Sequence, residues 1–337
     1  MSFSIRQLLA RTVLLVILAH VSLLAQEPSK APEGAEASDY IFRIHYEEVQ
    51  KIMSTPLSER EAQLETYRGK LHPDSKILAQ MPAFFSQILQ EYQKTGQTPK
   101  ANALLNKIKK FSPETAAAFE GQAFQKAFQD KNYAKAIALG EALYANKPDT
   151  QLASMLAQSY ISIRNEPKAL EYSTKTVQAL GANKGVYFAA WLASYHRGKG
   201  DAQNALKYYD QILQAFPSQG PLGWTAEGWS ELKGTAHALK GVTAYSTQAY
   251  QVAIGSFEES LQYQPLNDAA YLFLGLSQWK EQKLDLAIDA FAKGTVLNKP
   301  NSSKSRQYLE QLFKARNQDS LDGLDALLDA ARQALGI

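Results

Sequence analysis

The chain has 337 residues, 45% of them hydrophobic, with 36 Lys+Arg against 33 Asp+Glu and no cysteine. This composition excludes a disordered chain, a disulfide-stapled scaffold and thiolate metal sites. The near-balanced charge gives little reason to expect the basic stripe of a nucleic-acid binder.

Residues 1–25 differ from everything after them. Arg6 and Arg11 form a positive n-region, and Thr12–Ala25 is an apolar run too short to span a bilayer, with small Ala25 before Gln26 at the cut. The pattern predicts a secretory signal peptide, with an uncleaved N-terminal anchor as the alternative. The mature chain is then exported, to the periplasm or beyond, with no membrane span of its own. Without the two arginines it carries 34 Lys+Arg and a net charge of about +1. With no cysteine, no lipid can be attached through one after the apolar run.

Gln26–Ser38 is polar and rich in Pro, Gly and Ala, and reads as a flexible linker. From Asp39, Tyr40, Ile41, Ile44, Val49 and Ile52 stripe a helix to about Met53, and a second helix, Glu59–Leu71, ends at His72-Pro73. This pair, residues 39–73, reads as a divergent unit covering an open edge.

A phrase then recurs down the chain. Ala101-x3-Leu105-x2-Ile108 ends at Pro113, Ala136-x3-Gly140-x2-Leu143 at Pro148, and Ala205-x3-Tyr209-x2-Ile212 at Pro217. Ala253-x3-Phe257-x2-Ser260 ends at Pro265, and Ala287-x3-Phe291-x2-Gly294 at Pro300; Ala169 opens a weaker copy with Ser173, Thr176 and Gly181. Residues at i, i+4 and i+7 share one helical face, small where a neighbour must come close and large where it leaves a gap. Intervals between the alanines are 35, 33, 36, 48 and 34, so one junction carries about fourteen extra residues. That insertion is 218–233, with turn signals at Gln219-Gly220-Pro221 followed by Trp224 and Trp229. It reads either as a lengthened helix or loop whose tryptophans pack on the repeats, or as a lid or contact element for a partner. After Pro300, residues 302–337 hold two helices: Tyr308, Leu309, Leu312 and Phe313 stripe one, and Leu321, Leu324, Leu327, Leu328, Ala331 and Leu335 the other. They either cap the stack or offer a leucine face for a homo-oligomer.

The period near 34, the Leu274-Gly275 pair, the Ala-x3-Phe phrase and the closing proline resemble the tetratricopeptide repeat. The resemblance covers residues 82–301 as six repeats. It implies an all-α fold, a right-handed superhelical solenoid of helix-turn-helix units, and a non-catalytic scaffold. It also implies that the second, fifth, ninth and twelfth positions of each first helix face a concave groove. In this chain the ninth positions are Gln90, Gln125, Gln158, Ser194, Val242 and Leu276, and the twelfth are Gln93, Phe128, Ile161, Arg197, Tyr245 and Trp279. The fifth row ends in Leu272, and the second includes Tyr187. Arg197 is the single charge in these rows, so the Lys/Asn clamp by which some members hold a terminal carboxylate is missing. Amides in the N-terminal half can pair with an extended backbone. The apolar C-terminal half (Tyr245, Leu272, Leu276, Trp279) suits an extended or helical peptide with an apolar anchor, unless those aromatics pack between helices.

No catalytic constellation appears. His20, His45, His72, His196 and His237 lack metal-site spacing, and there is no nucleophile elbow, P-loop or dinucleotide fingerprint. No enzyme activity, metal or cofactor is expected. The expected partner is a protein or peptide of the cell envelope. The rival is a small ligand enclosed by the 218–233 insertion, with Trp224 and Trp229 in contact.

Overall fold

The computed structural model describes residues 35–337. The expected signal peptide, and the linker up to residue 34, lie outside them. Among the described residues there are sixteen α-helices and no strand. They are α1 (Ala35–Met53), α2 (Leu57–Gly69), α3 (Met81–Lys94), α4 (Thr98–Phe111), α5 (Pro113–Gln129), α6 (Tyr133–Asn146), α7 (Thr150–Ser162) and α8 (Glu166–Lys184). Then come α9 (Val186–Gly198), α10 (Ala202–Ala215), α11 (Ala226–Ser246), α12 (Tyr250–Tyr263), α13 (Asp268–Lys280), α14 (Leu284–Val296), α15 (Ser302–Arg316) and α16 (Leu324–Leu335). The chain divides into two compact units, up to Glu120 and from Gly121 to Ile337.

In the first unit α1 starts at Ala35, four residues inside the stretch expected to be linker. Ala35, Glu36 and Ala37 are good helix formers with no proline among them, so the helix propagates back beyond Asp39. Val49, Leu64, Ile77, Phe85, Leu104 and Ile108 are fully or nearly fully buried together. Arg60 Nη1 donates to both carboxylate oxygens of Glu91 at 2.8 Å, tying α2 to α3. Lys107 Nζ donates to Glu61 (2.8 Å) and Glu65 (3.0 Å), tying α4 to α2.

The repeat logic is visible in burial. Ala101, Ala136, Ala169, Ala205, Ala253 and Ala287 are all 3% exposed or less. Side-chain size at these positions sets how near the two helices of a hairpin can lie. The same logic puts glycine against phenylalanine: a Cβ on Gly241 would fall 2.7 Å from the Phe257 ring, and one on Gly275 2.7 Å from Phe291. The two pairs are related by one repeat.

A second periodic feature is carried by the backbone. Gly96, Lys131, Arg164, Gly200, Gln248 and Gln282, each five residues before a repeat alanine, have φ between 57° and 76°. At each of these turns the left-handed residue donates its N–H to the third residue back, and the next residue donates to the fifth back, as in Lys131→Phe128 (3.0 Å) and Asn132→Ala127 (2.8 Å). This is a Schellman closure, which satisfies two helix-end carbonyls and reverses the chain. Side-chain N-caps then start several following helices: Asn132, Asn165 and Asp201 accept the backbone N–H three residues on, at 3.1–3.3 Å.

In the second unit Gly181, at φ 69°, breaks the run Glu166–Lys184. The insertion becomes an eight-residue turn, 218–225, and the first two turns of α11, which is 21 residues long. At the C-terminal end Leu309, Leu312, Phe313, Leu324, Leu328 and Ala331 are buried with Ile288, Phe291 and Ala292 of α14. The leucine stripes are therefore largely spent within the chain.

Candidate functional site

The first helix of each hairpin presents two kinds of position. Gln90 in the first unit, and Gln125, Gln158, Ser194 and Val242 in the second, are exposed, as are Tyr187 and Arg197 of α9. Tyr187 is 50% exposed although it lies edge-on to Phe188 at 5.2 Å. Arg197 forms no ion pair among the described residues. These side chains have free amide, guanidinium and phenol groups for a partner.

The residues expected to form an apolar anchor site are placed differently. Leu272 is 4% exposed and packs in the core with Ile288 and Phe291, so it is a core residue and offers a partner nothing. Its position is covered because α15 and α16 close this end. Leu276 and Trp279 are half-buried against the same cluster, with Trp279 tilted on Tyr308 of α15 at 5.9 Å. Tyr245 lies edge-on to Phe273 at 5.5 Å and to Tyr250 at 5.6 Å, and Phe128 edge-on to Tyr133 at 6.1 Å. In Tyr245–Tyr250 and Phe128–Tyr133 the aromatic pair spans the Schellman turn and locks one helix end to the next helix start. Packing thus accounts for the twelfth-position aromatics.

The insertion forms a cleft of about 440 Å³ lined by Gln219, Gly220, Trp224, Thr225, Ala226, Trp229, Ser230, Lys233 and Tyr263. Trp229 is 7% exposed, edge-on to Phe216 and to half-buried Trp224, both at 6.3 Å. A Cβ on Gly220 would lie 2.8 Å from the Trp229 ring, so only glycine lets the turn close over it. Lys233 places its ammonium 4.0 Å from the centre of the Tyr263 ring. Lys233 and Tyr263 were not singled out by sequence. Lys233 follows Trp229 by one helical turn and was legible in principle, whereas Tyr263 arrives from the end of α12 and carried no signal.

The strongest polar cluster lies between α6, α7 and α8. Glu141 accepts from Tyr160 OH at 2.6 Å and from Tyr172 OH at 2.7 Å, while Lys168 and Lys175 bind Glu171 at 3.0 and 2.7 Å. Tyr160 and Tyr172 stack with ring centres 5.8 Å apart. Burial, then the hydrogen bond and charge of Glu141, push both phenols well above the ordinary tyrosine range. Every strong partner there is internal, so the cluster staples the helices together.

The described histidines are dispersed. His45 meets Tyr67 OH (2.7 Å), His196 meets Asp201 (3.0 Å), His237 lies 2.7 Å from Glu259, and His72 is exposed beside Asp74. Among the described residues no group of three His, Asp or Glu could hold a metal ion, and no helix is long and apolar enough to cross a membrane.

The family profile of the tetratricopeptide repeat matches residues 238–302. A comparison with curated proteins finds no match. Among solved structures the chain is similar to MamA (residues 41 to the end) from Desulfovibrio magneticus RS-1, at 20% identity over 55% of this chain and 89% of that one, TM-score 0.37. A tetratricopeptide repeat protein from Parabacteroides merdae is 12% identical over 82% of this chain and 98% of that one, TM-score 0.30. Yeast Tom70 is 14% identical over 88% of this chain and 63% of that one, TM-score 0.36. The matched segment, from within α11 to the end of α14, holds the two hairpins in which Gly241 meets Phe257 and Gly275 meets Phe291, and over these residues the chain carries tetratricopeptide repeats.

Proposed function

We propose that the protein is an exported, non-catalytic scaffold that binds a protein or peptide through the exposed positions of its first helices. The observation that carries this reading is the contrast within one helix set. On the first helices Gly241, Gly275 and the twelfth-position aromatics are used up in packing, whereas Gln125, Gln158, Ser194 and Arg197 are exposed at positions that stacking leaves free. Amides at such positions pair with an extended backbone, which suits a polar peptide better than one led by an apolar anchor. Export is supported by Arg6, Arg11 and the apolar run Thr12–Ala25.

The test has two parts. Tagged protein is recovered from the exported fraction and its N-terminus sequenced; a start at Gln26 supports export with cleavage, and retention in the cytoplasm sinks it. Envelope extract is then passed over wild type and over the triple variant Gln125→Glu/Gln158→Glu/Arg197→Glu, with circular dichroism confirming the fold. A protein held by wild type and lost from the variant supports the reading. A protein held equally by both removes these helices as the binding face.

A further inference from the structure

The cleft at the insertion combines features that packing alone does not require. Its wall is aromatic: the Trp229 edge, half-buried Trp224 and the Tyr263 ring. Its one cation is Lys233, half-buried, with its ammonium 4.0 Å from the Tyr263 ring centre and 5.6 Å from that of Trp229. Among the described residues no carboxylate pairs with it. Glu227 and Glu231 on its own helix are exposed and form no ion pair among the described residues, and Glu259 of α12 lies against His237, whose ring stacks on Tyr263 at 5.9 Å. The ring faces hold this ammonium in place, and its charge is unmatched. Thr225 caps α11 by accepting from Gly228 N–H at 3.0 Å, and the positive end of that helix borders the same cleft through Ala226. Polar groups for orientation come from Gln219 and Ser230.

We infer that this cleft binds a carboxylate carried on a flat apolar ring, the carboxylate meeting Lys233 and the ring lying against Trp224 and Trp229. A cleft of about 440 Å³ is within the range of small-ligand sites. A half-buried ammonium forms a stronger pair than an exposed one, since less water screens it. The carboxylate can belong to a free small molecule or to an aromatic residue at the end of a peptide. The inference does not depend on the scaffold reading, because none of its residues lies among the proposed first-helix contacts.

The test uses the full chain with 15N-labelled tryptophan and 2-naphthoate as probe, beside neutral 2-naphthamide and the peptide acetyl-Gly-Gly-Trp with a free terminus. The inference predicts saturable shifts of the Trp224 and Trp229 indole N–H signals, with those of Trp191 and Trp279 unmoved. Naphthamide should bind at least about ten-fold more weakly. Lys233→Met keeps the stem over the rings and removes the charge, so it should weaken naphthoate by about ten-fold or more, while Lys233→Arg restores it and Lys240→Met changes nothing. Tighter binding of the peptide than of naphthoate would assign the carboxylate to a chain end; the reverse would assign it to a free ligand. No saturable shift up to about 5 mM naphthoate, equal binding of acid and amide, or indifference to Lys233→Met would each overturn the inference.

Discussion

Replacing Glu141 with alanine removes the acceptor of two buried phenols at once. Tyr172 is 2% exposed and Tyr160 6%, so neither hydroxyl can turn to bulk water when the carboxylate is lost. A hydrogen bond to a charged group contributes about 1.5–3 kcal/mol, and a buried donor left unsatisfied costs about 1–3 kcal/mol. The Glu141 side chain is 34% exposed, which partly solvates its charge and favours the low end of these ranges. Glu141→Ala should therefore cost about 3 kcal/mol, and either Tyr160→Phe or Tyr172→Phe about 1 kcal/mol, because the carboxylate keeps its other phenol. In the double-phenylalanine background no hydroxyl is left to orphan, and Glu141→Ala should cost under about 1 kcal/mol. Urea unfolding followed by circular dichroism measures all four corners of the cycle. An equal cost of Glu141→Ala in both backgrounds would refute the reasoning. The same phenols give a pH signature. Their folded pKa values are raised, first by burial and then by Glu141, so the fold prefers their protonated forms. Their stabilisation is whole below the unfolded value near 10 and is lost as pH rises above it toward the folded value, by up to about 1.4 kcal/mol per pH unit for each tyrosine. Between about pH 10 and 11.5 wild type should lose more stability than the double-phenylalanine variant.

Three further outcomes follow from packing and backbone. Gly275→Ala, which brings a methyl 2.7 Å from Phe291, should destabilise by about 1–3 kcal/mol, while Gly255→Ala, with nothing within 4 Å, should stabilise by up to about 1 kcal/mol. Gln248→Gly, relieving φ 60° at a Schellman turn, should raise stability by about 0.5–1 kcal/mol, and Gly200→Ala, at φ 76°, should lower it by a similar amount. Leu272→Ala should cost about 2–5 kcal/mol and Gln158→Ala under about 0.5 kcal/mol, so thermal melts separate the buried position from the exposed one.

The repeats were legible because repetition tests one contact many times. An alanine at the close approach of two helices is individually uninformative, but six recurring at intervals near 34 save for one insertion, five of them followed by a closing proline, leave a single register. The Schellman turns were hidden by chemistry: only Gly96 and Gly200 announce positive φ, while Lys131, Arg164, Gln248 and Gln282 adopt it because the helix end demands the closure. Leu272 looked like a groove residue because it occupies the fifth position of its first helix, one of the four expected to face the groove, and only the docking of α15 and α16 shows that this end is covered. The insertion was legible as extra length, and the choice between loop and helix was not. Trp229 is decided by Gly220 and Phe216, residues that precede the helix and fold back on it.

The most direct test of the scaffold account is photo-crosslinking in the native host. A photoreactive phenylalanine analogue is placed singly at Gln125, Gln158 and Arg197 on first helices, and at Lys135, Ala142 and Gln214 on second helices, all exposed positions. The account predicts that the first-helix positions capture one common protein and that the second-helix positions do not. Capture from the second-helix set alone, or from neither set, would contradict it.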